Sequence, residues 1–363
     1  MWVKNISTNA FRNLSLENEK FSTGVNILYG NNAQGKTNIL EAVYFCATGR
    51  SPRADNNREL VKFGGSEAHI QVEVQKDDYP FVIDAHIKIS GSKSIKTISV
   101  DRVVVKNTRE LFGQLMVVLF SPEDLRLIKS GPSERRRFMD MEICQLSPVY
   151  YSDLRDYHRA LRQRNQMLKT LRRDRRQIDS LPIWDEQLIK NGLRIMRTRA
   201  AFVSKISNIA NEIHGHITEG REDLTLTYQP NIQNPDDYQD VMQKSQESDV
   251  ISGTTSLGIH KDDILFTIND IPARNYGSQG QQRTAALSAK LAEIELMRSG
   301  AKSTPVLLLD DVLSELDGNR QRFLLTQIGD LQTILTCTGL EDVITKNIND
   351  ANVMQVMSGK LYK

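Results

Sequence analysis

The chain has 363 residues, with Lys+Arg 47 against Asp+Glu 45 and a formal net charge of +2, so it is not basic throughout and any nucleic-acid surface has to be a local cluster. Its three cysteines, Cys46, Cys144 and Cys337, lack C-x-x-C spacing and its six histidines form no metal-like pattern, which excludes a zinc site and fits reduced thiols. There is no signal-like start, and the longest apolar runs fall far short of a membrane span, so the expectation is a soluble cytoplasmic protein of two domains or one interrupted domain.

In chain order, Val25–Tyr29 is apolar and β-prone and reads as a buried strand. It runs into Gly30-Asn31-Asn32-Ala33-Gln34-Gly35-Lys36-Thr37, the spacing G-x-x-x-x-G-K-[ST] of a phosphate-binding loop. Residues 38–48, with Ile39, Leu40, Ala42, Val43 and Phe45, read as a buried helix. Two glycines let successive backbone N–H groups turn inward around phosphate oxygens at a positively polarised helix start. Lys36 would then reach the β- and γ-phosphates, and the Thr37 hydroxyl would occupy one position on Mg²⁺.

Alternation in 69–75 (Ile70, Val72, Val74) and in 81–89 (Phe81, Ile83, Ala85, Ile87, Ile89) predicts hairpin strands, and 95–105 adds a further β-rich run. An antiparallel sheet decorating the nucleotide core follows. Residues 115–120 read as a short buried strand ended by Ser121-Pro122-Glu123-Asp124. From Asp153 the pattern becomes helical, with Leu154, Leu161 and Leu168 seven apart, Tyr157 and Leu171 at coiled-coil d positions, and Arg164 interrupting that row. A turn at Ser180-Leu181-Pro182 precedes a second run with Leu188, Ile195, Phe202 and Ile209 seven apart, so a helix over 183–216 would be about 50 Å long. The two runs predict an antiparallel helical arm, and the polar stretch 230–249 a loop returning to the head.

Between Arg155 and Arg176 lie nine basic residues against Asp156 and Asp174. Such a strip can neutralise phosphates without reading sequence, and Arg162, Arg164, Arg172, Arg173, Arg175 and Arg176 are the candidate DNA contacts. A solvated helix face is the other reading of the same charges. Arg135, Arg136 and Arg137 could equally knit the head to the arm or touch DNA.

Pro305-Val306-Leu307-Leu308-Leu309-Asp310-Asp311 has the form of a Walker B strand. Asp310 would hold Mg²⁺, and Asp311 would orient or deprotonate the attacking water. Ahead of it, Gly277-Ser278-Gln279-Gly280-Gln281-Gln282 opens a helix and resembles the ABC signature, though an ordinary N-cap turn has the same residues. In ABC-type ATPases such a segment binds the ATP held by the other subunit, which makes Ser278, Gly280 and Gln281 candidate contacts in trans. Ser314-Glu315-Leu316-Asp317 stands where that class has its D-loop.

In this order the segments resemble the RecF family, SMC-like proteins of bacterial DNA replication and repair. The likeness extends through Phe11-Arg12-Asn13-Leu14, 120–124, Arg135-Arg136-Arg137-Phe138-Met139-Asp140 and Leu257-Gly258-Ile259-His260-Lys261-Asp262-Asp263. It implies an α/β fold, an ABC-type P-loop ATPase head with a mixed sheet core and an antiparallel β subdomain, interrupted by a helical arm (lobe II). The expected division is 1–124 for the first part of the head, 125–250 for the arm and 251–363 for the rest of the head. The resemblance further implies ATP and Mg²⁺ as cofactors, an ATP-dependent homodimer, DNA binding at gaps and duplex–single-strand junctions, RecO and RecR as partners, and help in loading RecA.

Asp311 stands where transporter-type ATPases carry Glu, one methylene longer, so slow hydrolysis suited to a switch is expected. Thr336-Cys337-Thr338 replaces a switch His, and Glu123 and Asp124 occupy the region of the Q-loop. For His260 a buried, satisfied ring is expected. A transporter subunit, a structural SMC-type protein and a small-molecule kinase are the rival readings.

Overall fold

The structure is a computed structural model and describes residues 1–77, 79–300, 304–329, 331–339 and 350–363. The chain begins with strands β1 (Trp2–Phe11), β2 (Leu14–Lys20) and β3 (Val25–Tyr29), followed by helix α1 (Lys36–Thr48). Strands β4 (Glu67–Lys76), β5 (Tyr79–Ser90), β6 (Lys93–Val100), β7 (Val103–Val104) and β8 (Val117–Phe120) follow. A helical stretch comes next: α2 (Arg126–Lys129), α3 (Pro132–Leu146), α4 (Pro148–Leu171) and α5 (Leu181–Thr218). Then come β9 (Leu224–Gln229), α6 (Tyr238–Ser252), β10 (Asp263–Ile268), β11 (Ile271–Pro272), α7 (Ala273–Tyr276) and α8 (Gln279–Gly300). The chain closes with β12 (Val306–Asp310), α9 (Gly318–Ile328), β13 (Thr333–Cys337), β14 (Asn352–Met357) and β15 (Lys360–Tyr362).

Two compact units result, 1–124 together with 293–363, and 125–292. The first holds two sheets. One has the order β2-β1-β4-β5-β6-β7 with antiparallel pairings throughout; the alternating sequence predicts β4 to β7, and β1 and β2 extend the sheet beyond that expectation. The other has the order β15-β14-β3-β13-β12-β8, parallel except for β15 at its edge. Every residue of β12 and β13 is buried, the pattern of parallel strands covered on both faces. The ABC-type P-loop ATPase head, a mixed sheet core with an antiparallel β subdomain, is thus the observed architecture of this unit.

The expected division falls at 250/251, whereas the second unit spans 125–292 and closes inside α8. Pairing explains the difference, because β10 lies antiparallel to β9 over six residue pairs and so binds 263–272 to the inserted unit. The stretch 230–249 is also not the expected loop. It contains α6, whose Tyr238, Met242, Asp249 and Val250 are buried at helical spacing despite the polar composition.

Helices α4 and α5 run antiparallel, with Arg164 paired to Asp185 and Asp153 to Arg194. The buried row of α4 is Tyr157, Ala160, Arg164, Leu168 and Leu171, so the arginine that breaks the apolar pattern is itself in the core. Arg164 is 0% exposed; it donates to Asp249 (2.6 Å), Asp185 (2.5 Å) and the Thr255 hydroxyl (2.9 Å). Asp249 is equally buried, so neither charge reaches solvent. A second network surrounds Arg199, which binds Asp140 and Asp262; Asp262 also accepts from Tyr228 and the Asn231 N–H. Removing one partner of a buried pair strands the other, at a cost of about 3–5 kcal/mol. Arg164→Met is therefore expected to lower the unfolding free energy measured by urea titration by an amount of that order, while exposed Arg172→Ala changes it by less than about 0.5 kcal/mol; equal stability of the two variants would contradict the assignment.

Candidate nucleotide-binding site

The phosphate loop joins the carboxyl end of β3 to the start of α1, and its shape depends on glycine. Gly35 caps α1 at φ 114°, where an added Cβ would lie 2.9 Å from Leu14 Cδ2 and 3.0 Å from Asn13 Oδ1. Gly30, at φ 150°, would place a Cβ 2.5 Å from the Val356 carbonyl oxygen. Both values lie in regions that side chains avoid. The turn between β14 and β15 braces the loop from outside, since the Gly359 and Ser358 N–H groups donate to the Gln34 carbonyl and side-chain oxygens. The Lys36 ammonium donates to the Gly30 carbonyl (2.6 Å) and the Asn31 carbonyl (3.0 Å).

The Thr37 hydroxyl donates to Asp310 Oδ1 at 2.7 Å across 273 positions of sequence. Phosphate loop and Walker B strand thus meet as the motifs predict. The Thr336 hydroxyl donates to the same oxygen (2.9 Å) and accepts from the Asp311 N–H (2.9 Å). Asp311 has φ 52°, a left-handed conformation that aspartate tolerates better than most residues. Burial raises the Asp310 carboxyl above its usual value, opposed by the hydrogen bonds from Thr37 and Thr336 and by the Arg53 charge; Glu123 adds to the rise. A carboxylate whose ionisation is disfavoured by burial is suited to a bound cation.

A cleft of about 230 Å³ is lined by Asn32, Ala33, Gly35, Lys36, Thr37 and Asn38, with Arg53, Asp310, Asp311 and Thr336. Nothing in the sequence distinguishes Arg53 from other arginines. It donates to Glu41 Oε2 (2.5 Å) and Asn38 Oδ1 (2.7 Å), while Arg12 grips Glu41 through two nitrogens and Ser51 donates to it (2.5 Å). Burial acts to raise the Glu41 carboxyl, but the hydrogen bonds from Arg12 and Ser51 and the charges of Arg53 and Arg12 prevail and hold it below its ordinary range. Thr336 is the other lining residue that the sequence did not assign to the site. It stands at the end of β13, where the sequence has no histidine, and its hydroxyl bridges Asp310 and the Asp311 N–H.

The donor set fits a nucleoside triphosphate with a divalent cation: glycines that admit no Cβ, one ammonium, one guanidinium, and a threonine hydroxyl on a buried carboxylate.

The remaining candidates lie in the second unit. Ser278 is exposed and caps α8: its hydroxyl accepts from the Gln281 N–H (3.2 Å), and Gln281 Oε1 accepts from the Ser278 N–H (2.8 Å). This reciprocal pair is a capping box. It leaves the Ser278 hydroxyl proton free to donate at a helix start. Gln281 Nε2 donates to Glu222 (2.9 Å), and the Gly280 carbonyl accepts from Thr284 (2.8 Å).

Of the six arginines assigned to DNA, Arg164 is withdrawn, because it is fully buried and ion-paired. Arg175 pairs with Glu247 and Arg176 with Asp174, all four exposed. Arg162, Arg172 and Arg173 are exposed. Arg135 belongs to the inserted unit's own framework, held by Asp263 (2.6 and 2.9 Å) and two carbonyls. His260 is satisfied as expected: Nε2–H donates to the Thr255 carbonyl (3.1 Å) and Nδ1 accepts from the Tyr157 hydroxyl (2.8 Å). Burial lowers it to about 4, so the ring is neutral at physiological pH.

A parallel sheet with a phosphate loop at one strand end and paired carboxylates at another, interrupted by a helical insertion, defines an SMC-like ABC-type ATPase head. Residues 2–359 match the family model of the RecF/RecN/SMC N terminal domain. The DNA replication and repair protein RecF of Lachnospira eligens is 47% identical over 361 residues, covering 99% of this chain and 98% of that protein. A solved RecF-ATP structure, of a recombination mediator protein in the RecFOR pathway, superposes with a TM-score of 0.92 at 34% identity, covering 100% of this chain and 97% of the other. The Smc head domain of Pyrococcus furiosus shares the fold alone, with a TM-score of 0.56 at 16% identity, covering 99% and 95%. The chain belongs to the RecF family of DNA replication and repair proteins. Among its described residues no helix is long and apolar enough to cross a membrane.

A carboxyl raised by burial destabilises the fold increasingly as pH rises through its folded value, because the native state then holds more protons than the unfolded chain. Asp310→Asn keeps an oxygen acceptor for Thr37 and Thr336 without the charge. The variant is expected to melt higher than wild type at pH 7 without nucleotide, and to lose the further rise that Mg-ATP gives wild type; thermal denaturation in both conditions checks this.

Proposed function

We propose that the protein is an ATP-gated DNA clamp of recombinational repair and replication restart. The observation that carries the reading is the Thr37–Asp310 hydrogen bond, which brings the two motifs of a nucleotide site into one cleft. ATP binding is supported by the ATP-bound relative and by the glycine-shaped loop. Thr37 and Asp310 would hold Mg²⁺, which when bound neutralises charge on the β- and γ-phosphate oxygens. Lys36 and the backbone of Gly30 to Thr37 bind and orient the triphosphate, and Arg53 adds a second cation held in place by Glu41. Asp311 orients water and accepts its proton; its short side chain makes hydrolysis slow, and DNA stimulates it.

Two heads would sandwich two ATP molecules, with Ser278, Gly280 and Gln281 of one chain completing the site of the other. ATP closes the pair over DNA, and hydrolysis opens it. The preferred targets are gaps and duplex–single-strand junctions, where the closed dimer meets RecO and RecR and promotes RecA loading in the cytoplasm, on the nucleoid. Phosphate contacts come from Arg162, Arg172, Arg173, Arg175 and Arg176, the last two by exchanging weak exposed ion pairs for phosphates.

The test is the dissociation of the Mg-ATP complex from gapped duplex across salt concentrations. Asp311→Asn is expected to lengthen the dwell several-fold. Arg172→Ala/Arg173→Ala is expected to shorten it and to reduce the salt slope by about 1.8, at about 0.9 per duplex phosphate contact. A dwell that Asp311→Asn leaves unchanged contradicts the hydrolytic reset, and an unchanged slope contradicts the placement of DNA.

A further inference from the structure

A groove of about 930 Å³ runs between α4 and α5 and is distinct from the arginines assigned to DNA above. Its floor on α5 is set by Trp184, Gln187, Asn191 and Arg194, spaced three and four apart and therefore on one face. The apolar rows of both helices point elsewhere, into the core, with Tyr157 and Leu168 on one and Leu188 and Ile195 on the other. The groove is consequently polar and charged. It has room for more than a single ion.

Four cations border it: Arg155 and Arg159 on α4, Lys190 and Arg194 on α5. Within each pair the residues are four apart, about 6 Å along the helix. Two carboxylates are also present, and each has its own cation: Asp153 faces Arg194 at 3.4 Å and Asp156 faces Arg155 at 3.0 Å. Arg159 and Lys190 remain exposed, so the groove has a net positive charge. Gln163, Gln187 and Asn191 add side chains that both donate and accept. Trp184 is half-buried and is one of only two tryptophans in the chain.

We propose that this groove is a single-stranded DNA subsite, in which Trp184 stacks on a base while Arg159 and Lys190 hold the adjoining phosphates. The proposal rests on the DNA-binding reading above and adds a second, chemically different contact to it. An indole offers nothing to a duplex, whose bases are already stacked, but it gives an unpaired base a face to stack on. The amides tolerate any base because each can present a donor or an acceptor. An acidic polypeptide would satisfy the cations equally well but would leave the indole unused.

The experiment follows the intrinsic fluorescence of Trp184 in the full chain carrying Trp2→Phe, titrated with oligothymidylate, with blunt duplex and with poly-L-glutamate. Oligothymidylate is expected to quench the emission and blunt duplex to leave it unchanged. By anisotropy, Trp184→Ala should weaken oligothymidylate at least about fivefold, while Trp184→Phe keeps most of the affinity. Arg159→Ala/Lys190→Ala should make the single-strand salt slope shallower by about 1.4, at about 0.7 per phosphate. Circular dichroism verifies that each variant is folded, and duplex affinity with Mg-ATP should be unchanged in all of them. Oligothymidylate bound without quenching, or poly-L-glutamate quenching as strongly at equal charge, would overturn the proposal. Duplex binding with no response to oligothymidylate would sink this subsite alone, whereas no binding of any DNA with Mg-ATP would sink the parent reading as well.

Discussion

One hydrogen bond, from the Thr37 hydroxyl to Asp310, fixes the order of everything else in the first unit. It requires the carboxyl ends of β3 and β12 to lie at the same edge of a parallel sheet, and β13 lies between them with Thr336 bonded to the same carboxylate. Thr37 and Asp310 are 273 positions apart, and the chain between them leaves this sheet after β8 and returns at β12. The inserted unit occupies that interval. The buried carboxylate that results is electrostatically unfavourable by itself, a strain of the kind that functional sites carry and that a bound cation relieves.

The inserted unit is held by different physics. Its long helices bury arginines as well as leucines, and each buried guanidinium is matched by carboxylates from other segments: Arg164 by Asp185 and Asp249, Arg199 by Asp140 and Asp262, Arg135 by Asp263. Such pairs add little net stability over an apolar core, but they specify geometry, since a shifted register would leave a charge alone. They also give the segment His260-Lys261-Asp262-Asp263 a purpose: His260, Asp262 and Asp263 pin it to α4, α5 and α3 in turn.

Strands β3, β4, β5 and β12 and helix α1 were legible because their signals were local, whereas β1, β2, β14 and β15 were not read from the sequence. Strand alternation in β4 and β5, the two glycines of the phosphate loop and the apolar run of β12 each depend on neighbours in sequence. Arg164 was legible in part: it stood on the coiled-coil d row with Tyr157 and Leu171, and that row is the buried one, so its position pointed to the core while its charge pointed to solvent. The polar surface of α6 hid a helix whose few buried residues are widely spaced. Arg53 could not be found by spacing, because what places it beside Asp310 is a loop after α1 that leaves no pattern in the chain; Thr336 was located at the switch position, but its hydroxyl's bond to Asp310 depends on sheet order.

In the proposed clamp the Ser278 segment completes a nucleotide site belonging to a second copy of the chain. The most direct measurement is the mass in solution, by light scattering, of wild type and Ser278→Arg, each with Mg-ATP verifiably bound and gapped DNA present. A dimer of wild type beside a monomer of Ser278→Arg is the predicted result. If Ser278→Arg dimerises as readily as wild type, the segment is only the N-cap of α8, and the clamp mechanism built on it is wrong.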